Sequence, residues 1–109
     1  MEFTELTQRA LAVRAQLEEH ERRTYGRAWS VGDLLIGMVG DVGDLAKLIL
    51  AHEGVRTVDD ADRKLEHELS DLLWSSIVLA DKCGVDLEAA FVRTMADIET
   101  ALQSDTKTT

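Results

Sequence analysis

The sequence lacks the residues that most often interrupt helices or build strands. It has no proline, 7 glycines and only 5% aromatic residues in a chain of 109 residues. Leu, Ala and Val supply most of the apolar content, which is 45% of the chain. Because little here stops a helix, the composition favours an all-α fold. A chain of this length is large enough for one hydrophobic core and too short for two, so we expect a single domain.

The sequence is also poor in long apolar runs, cysteine and basic residues, and each shortage restricts location or partners. No run approaches the roughly 18 apolar residues of a membrane-spanning helix, and the charged amino-terminal stretch does not resemble a secretory signal. Cys83 has no second cysteine to pair with, which fits a reducing compartment. A net charge of −9 without a basic stripe argues against nucleic-acid binding. We therefore predict a cytoplasmic protein that binds neither membrane nor nucleic acid.

Four helices with short connections are predicted from the spacing of apolar residues and from capping signals. Ser30, Thr57 and Asp86 are predicted N-caps, and Asp33 follows Ser30 by three residues as a capping-box partner. In chain order the predicted helices span 3–24, Ser30 to near Gly54, Thr57 to Cys83, and Asp86 to about Leu102. The prediction is therefore one helical domain over residues 1–103 and a disordered tail over residues 104–109.

Two pairs of acidic residues stand beside strongly apolar segments. Asp41 and Asp44 lie three residues apart inside GMVGDVGDLAKLIL, and Glu68 and Asp71 lie three apart in ELSDLLW. Residues at i and i+3 share one face of a helix, so each helix presents two carboxylates together. If the two helices face each other, the four carboxylates repel one another, and either shared protons or divalent cations must compensate them. A set of oxygen ligands selects a hard cation, Mg²⁺ or Mn²⁺.

The two acidic pairs and their surroundings resemble the MazG-like all-α nucleoside triphosphate pyrophosphohydrolases. The resemblance rests on GDVGDLAKL and on ELSDLLWSSIVLADKCGVDLEAAF, and it spans roughly residues 29–95. It implies a four-helix bundle that assembles as a homodimer or a dimer of dimers. It also implies Mg²⁺-dependent hydrolysis of a nucleoside triphosphate to the monophosphate and pyrophosphate, an activity that serves nucleotide-pool house-cleaning.

The resemblance also implies roles for the acidic residues. By position, the metal ligands that it implies are Asp41, Asp44, Glu68 and Asp71. The general base that deprotonates the attacking water is then Asp41 or Asp44.

Three features of the sequence differ from the family pattern. The first acidic pair consists of aspartates where the family has glutamates, so each side chain is shorter by one methylene. Thr94 and Ile98 stand where many members have Lys and Asn that help to hold phosphate or metal. Ala51 and Ser75 are small where one branch has aromatic residues around the base. The first two differences favour an alternative function, a catalytically weak homologue that acts as a nucleotide-binding or protein-interaction module. The third leaves a specificity for dCTP unsupported.

A few other side chains are candidates for contact with a substrate. Tyr25 and Trp29, in the turn before the second helix, are the candidates for stacking on a base, whereas Trp74 is expected to pack in the core or at a subunit interface. The remaining basic candidates and one histidine are expected to be solvated: Lys47, Arg63, Lys64, Arg93 and His67.

The second and third helices carry the most apolar segments, LLIGMVG and LLWSSIVLA, which are expected inside the bundle. Gly37, Gly40 and Gly43 recur every three residues and form a strip that another backbone can approach closely. Together these segments offer more apolar surface than one small bundle covers. We therefore predict an obligate homodimer or homotetramer.

Overall fold

The computed structural model describes residues 1–108 of the chain and the side chains of residues 1–105. Over this range the backbone forms four α-helices and no β-strand, which confirms the predicted all-α class. The helices are α1 (Phe3–Tyr25), α2 (Val31–His52), α3 (Ala61–Lys82) and α4 (Leu87–Thr108). None of these four helices is both long enough and apolar enough to cross a membrane.

Three of the predicted helix ends are confirmed by their hydrogen bonds and backbone angles. Asp33 N–H donates to Ser30 Oγ at 3.2 Å, and Ser30 N–H donates to Asp33 Oδ2 at 3.0 Å, which completes the capping box of α2. α1 ends at Tyr25, one residue beyond the predicted end, and the Gly26 that follows has a φ of 81°, in the left-handed region that glycine adopts without strain. Ala89 N–H donates to Asp86 Oδ1 at 3.1 Å, so Asp86 caps α4.

The predicted start of α3 is wrong. The helix begins at Ala61, not directly after Thr57, because residues 59 and 60 form a turn in which Asp60 has a φ of 54°. Aspartate tolerates this left-handed conformation better than most residues, and consecutive aspartates favour turns.

The predicted end of α4 is also wrong. The helix continues to Thr108, beyond the predicted end near Leu102, because no glycine or proline follows to stop it. The predicted disorder of residues 104–109 stays a prediction, since Thr109 and the side chains of residues 106–108 lie outside the described residues.

The chain divides into two compact units, and the first, residues 1–79, contains α1, α2 and most of α3. Its buried apolar side chains are Ala10, Leu48, Ile77 and Val78. Trp74 Nε1–H donates to the carbonyl oxygen of Ala10 at 3.1 Å, which ties α3 to α1. Trp74 therefore has a packing role, with its polar atom satisfied, as the sequence predicts.

A buried ion pair holds the connection between α1 and α2. The Arg14 guanidinium donates to both carboxylate oxygens of Glu21, at 2.9 and 2.7 Å, and Trp29 N–H donates to Glu21 Oε1 at 2.8 Å. The hydrogen bonds from Arg14 hold the pKa of Glu21 below its usual value, although burial opposes the charge. The chain that leads into α2 is thereby fixed to α1.

The second unit begins at Ala80 and contains the end of α3, a turn and α4. Gly84 makes the turn with a φ of 71°, and Val85 N–H donates to the carbonyl oxygen of Ala80 at 2.8 Å. Thr94 and Ile98, the positions that differ from the family pattern, lie on α4 with exposed side chains.

The apolar residues of α2 are more exposed than predicted. Four of them, with exposures from 49% to 73%, are Leu35, Ile36, Val39 and Val42. LLIGMVG therefore does not lie inside the described chain, whereas residues 77 and 78 of LLWSSIVLA are buried as predicted. Apart from the adjacent residues of α2 and its own backbone, no heavy atom of the described residues lies within 4 Å of a Cβ built on any of the three glycines of the strip.

Candidate functional site

α2 and α3 bring the four predicted acidic residues to one place. Carboxylate oxygens of Asp41, Asp44 and Glu68 lie within 4.8 Å of one another, and the same holds for ligand atoms of Glu68, Asp71 and His67. Glu68 belongs to both groups, so Asp41, Asp44, Glu68 and Asp71 form one continuous set, which we call the acidic cluster. The i, i+3 spacing accounts for it, because each helix turns both acids of its pair to the same side.

Glu68 is the member of the acidic cluster with an unsatisfied atom. Its Oε2 is buried and accepts no hydrogen bond from any described residue, an arrangement that costs free energy. Burial raises the pKa of Glu68, and the negative charges of Asp41, Asp71 and Asp44 raise it further. The pKa of Asp41 is also raised, first by burial and then by the charges of Asp71 and Asp44. The cluster is therefore unfavourable unless protons or a cation neutralise it.

His67 contacts the acidic cluster, which the sequence analysis missed. Its Nε2 lies 3.1 Å from Asp71 Oδ2, while the imidazole is 72% exposed. The prediction of a solvated side chain was thus right about exposure and wrong about partners. The i, i+4 spacing from His67 to Asp71 is the signal in the sequence that predicts this contact.

The donor atoms of the acidic cluster fit a hard divalent cation. Carboxylate oxygens are the protein ligands that Mg²⁺ and Mn²⁺ prefer, and phosphate or water oxygens complete their coordination. The buried Glu68 oxygen without a partner is the observation that points to a ligand here. A cation would supply the missing interaction and relieve the repulsion among the four carboxylates.

A cavity of about 600 Å³ adjoins the acidic cluster and shares Asp44 and Glu68 with it. Basic side chains line much of the rest: Lys47, Arg56, Arg63 and Lys64. Three of these basic residues, Lys47, Arg63 and Lys64, were expected to be solvated, and Arg56 was not among the predicted candidates. Their gathering around one cavity depends on how α2, α3 and the connection between them fold together, which no single stretch of sequence displays.

Tyr25 and Trp29 do not line this cavity. Tyr25 ends α1 with its side chain exposed. Trp29 lines a separate cleft of about 340 Å³ together with Arg27, Asp33 and the start of α2. Their predicted contact with a base therefore stays a prediction.

Comparison with known proteins shows a distant similarity to a pyrophosphatase. Over 68 residues the chain is 38% identical to dCTP pyrophosphatase 1 of Rattus norvegicus, and the match covers 58% of this chain and 40% of that protein. No protein-family profile matches the chain. No solved structure matches it. The chain thus spans less than half the length of the curated relative that it matches, and it is similar in sequence to a pyrophosphatase named for dCTP.

Proposed function

We propose that the chain is a MazG-like nucleoside triphosphate pyrophosphohydrolase that depends on Mg²⁺ or Mn²⁺. The observation that carries the proposal is the acidic cluster with its buried, unpartnered Glu68 oxygen. The similarity to dCTP pyrophosphatase 1 supports the same class of reaction. The products would be a nucleoside monophosphate and pyrophosphate, and the role would be nucleotide-pool house-cleaning in the cytoplasm.

In the proposed site the acidic cluster would hold the cation, which when bound would neutralise phosphate oxygens and make a bound water more acidic. Asp41 or Asp44 accepts the proton of the attacking water. The base would be whichever of these two carboxylates the cation holds loosely or leaves unbound. His67 positions the Asp71 carboxylate through their contact at 3.1 Å.

Tyr25 and Trp29 are the proposed stacking residues for the base. Neither lines the cavity beside the acidic cluster of its own chain. We therefore propose that Tyr25 and Trp29 of one subunit contact the base bound at a neighbouring subunit of the proposed homodimer or homotetramer. Ala51 and Ser75, small where one branch of the family has aromatic residues, give no support to a preference for dCTP. All canonical bases therefore belong in a test of activity.

A panel of canonical and damaged nucleoside triphosphates with Mg²⁺, assayed for pyrophosphate and orthophosphate separately, tests the proposed function. We expect pyrophosphate from at least one substrate, and loss of nearly all activity in Glu68→Gln. Glu66→Gln is the matched control, since it makes the same chemical change on α3 at an exposed residue outside the cluster. Stepwise release of orthophosphate, or equal activity in Glu66→Gln and Glu68→Gln, would contradict the proposal.

The alternative is a catalytically weak homologue that binds a nucleotide or a protein partner through the same fold. It is favoured by Thr94 and Ile98, which replace the Lys and Asn of the family pattern. Under this alternative no substrate of the panel releases pyrophosphate, while a nucleoside triphosphate with Mg²⁺ still binds and the binding is lost in Glu68→Gln.

A further inference from the structure

Four basic side chains gather around the 600 Å³ cavity, and they lack the ion pairs that other arginines of this chain form. Lys47, Arg56, Arg63 and Lys64 are four of only 12 Lys and Arg residues in a chain with a net charge of −9. None of the four forms an ion pair with another described residue, although the acidic residues Asp44, Asp60 and Glu68 line the same cavity. In contrast, four arginines near the start of the chain pair with carboxylates: Arg14, Arg22, Arg23 and Arg27.

The four cations come from three separate segments. Lys47 lies one helical turn after Asp44 on α2, and Lys64 lies one turn before Glu68 on α3. Arg63 precedes Lys64, and Arg56 belongs to the connection between the two helices. The fold thus places positive charge on the wall of the cavity that also contains Asp44 and Glu68 of the acidic cluster.

This pairing of charges selects the ligand. A metal ion at the acidic cluster would bind phosphate oxygens as well as the carboxylates. Lys and Arg beside it would bind the phosphate oxygens that the metal ion leaves free. One phosphate would occupy little of the cavity, whereas its volume of about 600 Å³ lies in the range of sites for whole small molecules. A chain of several phosphates matches the volume of the cavity and its four basic side chains better than a single phosphate does.

We propose that Lys47, Arg56, Arg63 and Lys64 bind the triphosphate chain of the substrate, a role that rests on the proposed function. These residues are distinct from the α4 positions Thr94 and Ile98. The phosphate contacts of this protein thus come from α2, α3 and their connection. Arg56 and Arg63 are the best test residues, because a guanidinium donates two hydrogen bonds to one phosphate in a fixed geometry.

Calorimetric binding of inorganic tripolyphosphate in the presence of Mg²⁺ tests this proposal without requiring catalysis. We expect Arg56→Gln and Arg63→Gln each to weaken binding by about tenfold, the loss typical of a charge-assisted hydrogen bond. Arg9→Gln is the matched control, an exposed arginine on α1 that lies outside the cavity. Binding of Mg²⁺ alone should be at least as tight in all three variants as in the wild type, because the acidic cluster is intact.

The outcomes separate this proposal from the proposed function. Equal tripolyphosphate affinities in Arg56→Gln, Arg63→Gln and Arg9→Gln would overturn the assignment of the cavity, even if the wild type hydrolyses a nucleotide. Weaker binding in Arg56→Gln and Arg63→Gln alone would support the assignment. If that result came with no pyrophosphate release from any nucleotide, hydrolysis would be refuted and the phosphate site would stand.

Discussion

At the scale of single residues, Glu68 and Asp41 make the metal-free protein sensitive to pH. Burial and neighbouring acids raise both pKa values in the folded state. The folded protein therefore binds protons that the unfolded chain has already released. The stability that these two groups contribute is fully present below their ordinary pKa values and is lost as the pH rises through the raised ones.

Glu68→Gln should remove part of this pH dependence. In chelator, the wild type should lose stability relative to Glu68→Gln as the pH rises from about 4, where unperturbed carboxylates titrate. Glu21 has a lowered pKa, so its contribution to stability changes with pH in the opposite direction. Because the wild type and Glu68→Gln both contain Glu21, the difference between their unfolding free energies reports on Glu68 alone. Urea unfolding across the pH range checks this prediction. A difference between the two proteins that is constant with pH would contradict it, and Glu66→Gln should follow the wild type.

Residue patterns predicted the acidic residues of the candidate site and missed the basic residues that line the adjoining cavity. Asp41, Asp44, Glu68 and Asp71 stood out because charged residues beside apolar runs need compensation, and their helical spacing brought them together. A lysine or arginine on a polar helix face carries no comparable signal, since most such residues are simply solvated. Arg56 in particular lies in a connection whose path the sequence does not reveal.

At the scale of helices, the capping box at the start of α2 stabilises the helix that carries the first acidic pair. Ser30→Ala removes the hydrogen bond that Asp33 N–H donates and should cost about 1 kcal/mol of unfolding free energy. Thr57→Ala is the control, because Thr57 was predicted to be a cap but lies before a turn and does not precede a helix directly. Chemical denaturation of both variants checks the difference. A loss in Thr57→Ala as large as that in Ser30→Ala would contradict this account.

Helix limits were predictable where a side chain or a glycine determines them. The Ser30 box and Gly26 do so locally, through a hydrogen bond and a positive φ. The start of α3 was not predictable from Thr57, because the turn at Asp60 competes with the cap signal three residues earlier. The exposure of LLIGMVG was unpredictable for another reason: an apolar helix face does not reveal whether its own chain or a second copy covers it.

At the scale of the whole molecule, the exposed face of α2 supports the proposed oligomer. Leu35, Val39 and Val42 follow i, i+4, i+7 spacing and so form an apolar stripe on one side of the helix. Such a stripe is stable in water when a second surface buries it. A homodimer or homotetramer through α2 would satisfy this requirement.

Ile36 lies three residues before Val39 and is also exposed on α2, so Ile36→Lys should weaken assembly through this surface. Ile36 and Val55 are each 73% exposed, but Val55 lies in the turn after α2, so Val55→Lys is a control with equal exposure. Analytical ultracentrifugation should find the wild type and Val55→Lys as dimers or tetramers, and Ile36→Lys shifted toward the monomer. A wild-type protein that sediments as a 12.1 kDa monomer at micromolar concentration would refute the proposed oligomer.

The central claim, that a divalent cation compensates the acidic cluster, is tested most directly by melting Asp44→Asn with and without Mg²⁺. In chelator the variant should melt at or above the wild type, because Asp44 is one of the charges that raise the pKa values of Asp41 and Glu68. At a hundredfold excess over Kd, Mg²⁺ should stabilise the wild type by about 2.7 kcal/mol, a rise on the order of 10 °C for this chain length. The account predicts that Asp44→Asn loses most of that rise, while the exposed control Asp97→Asn keeps it. An equal Mg²⁺-induced rise in Asp44→Asn and the wild type would contradict the claim.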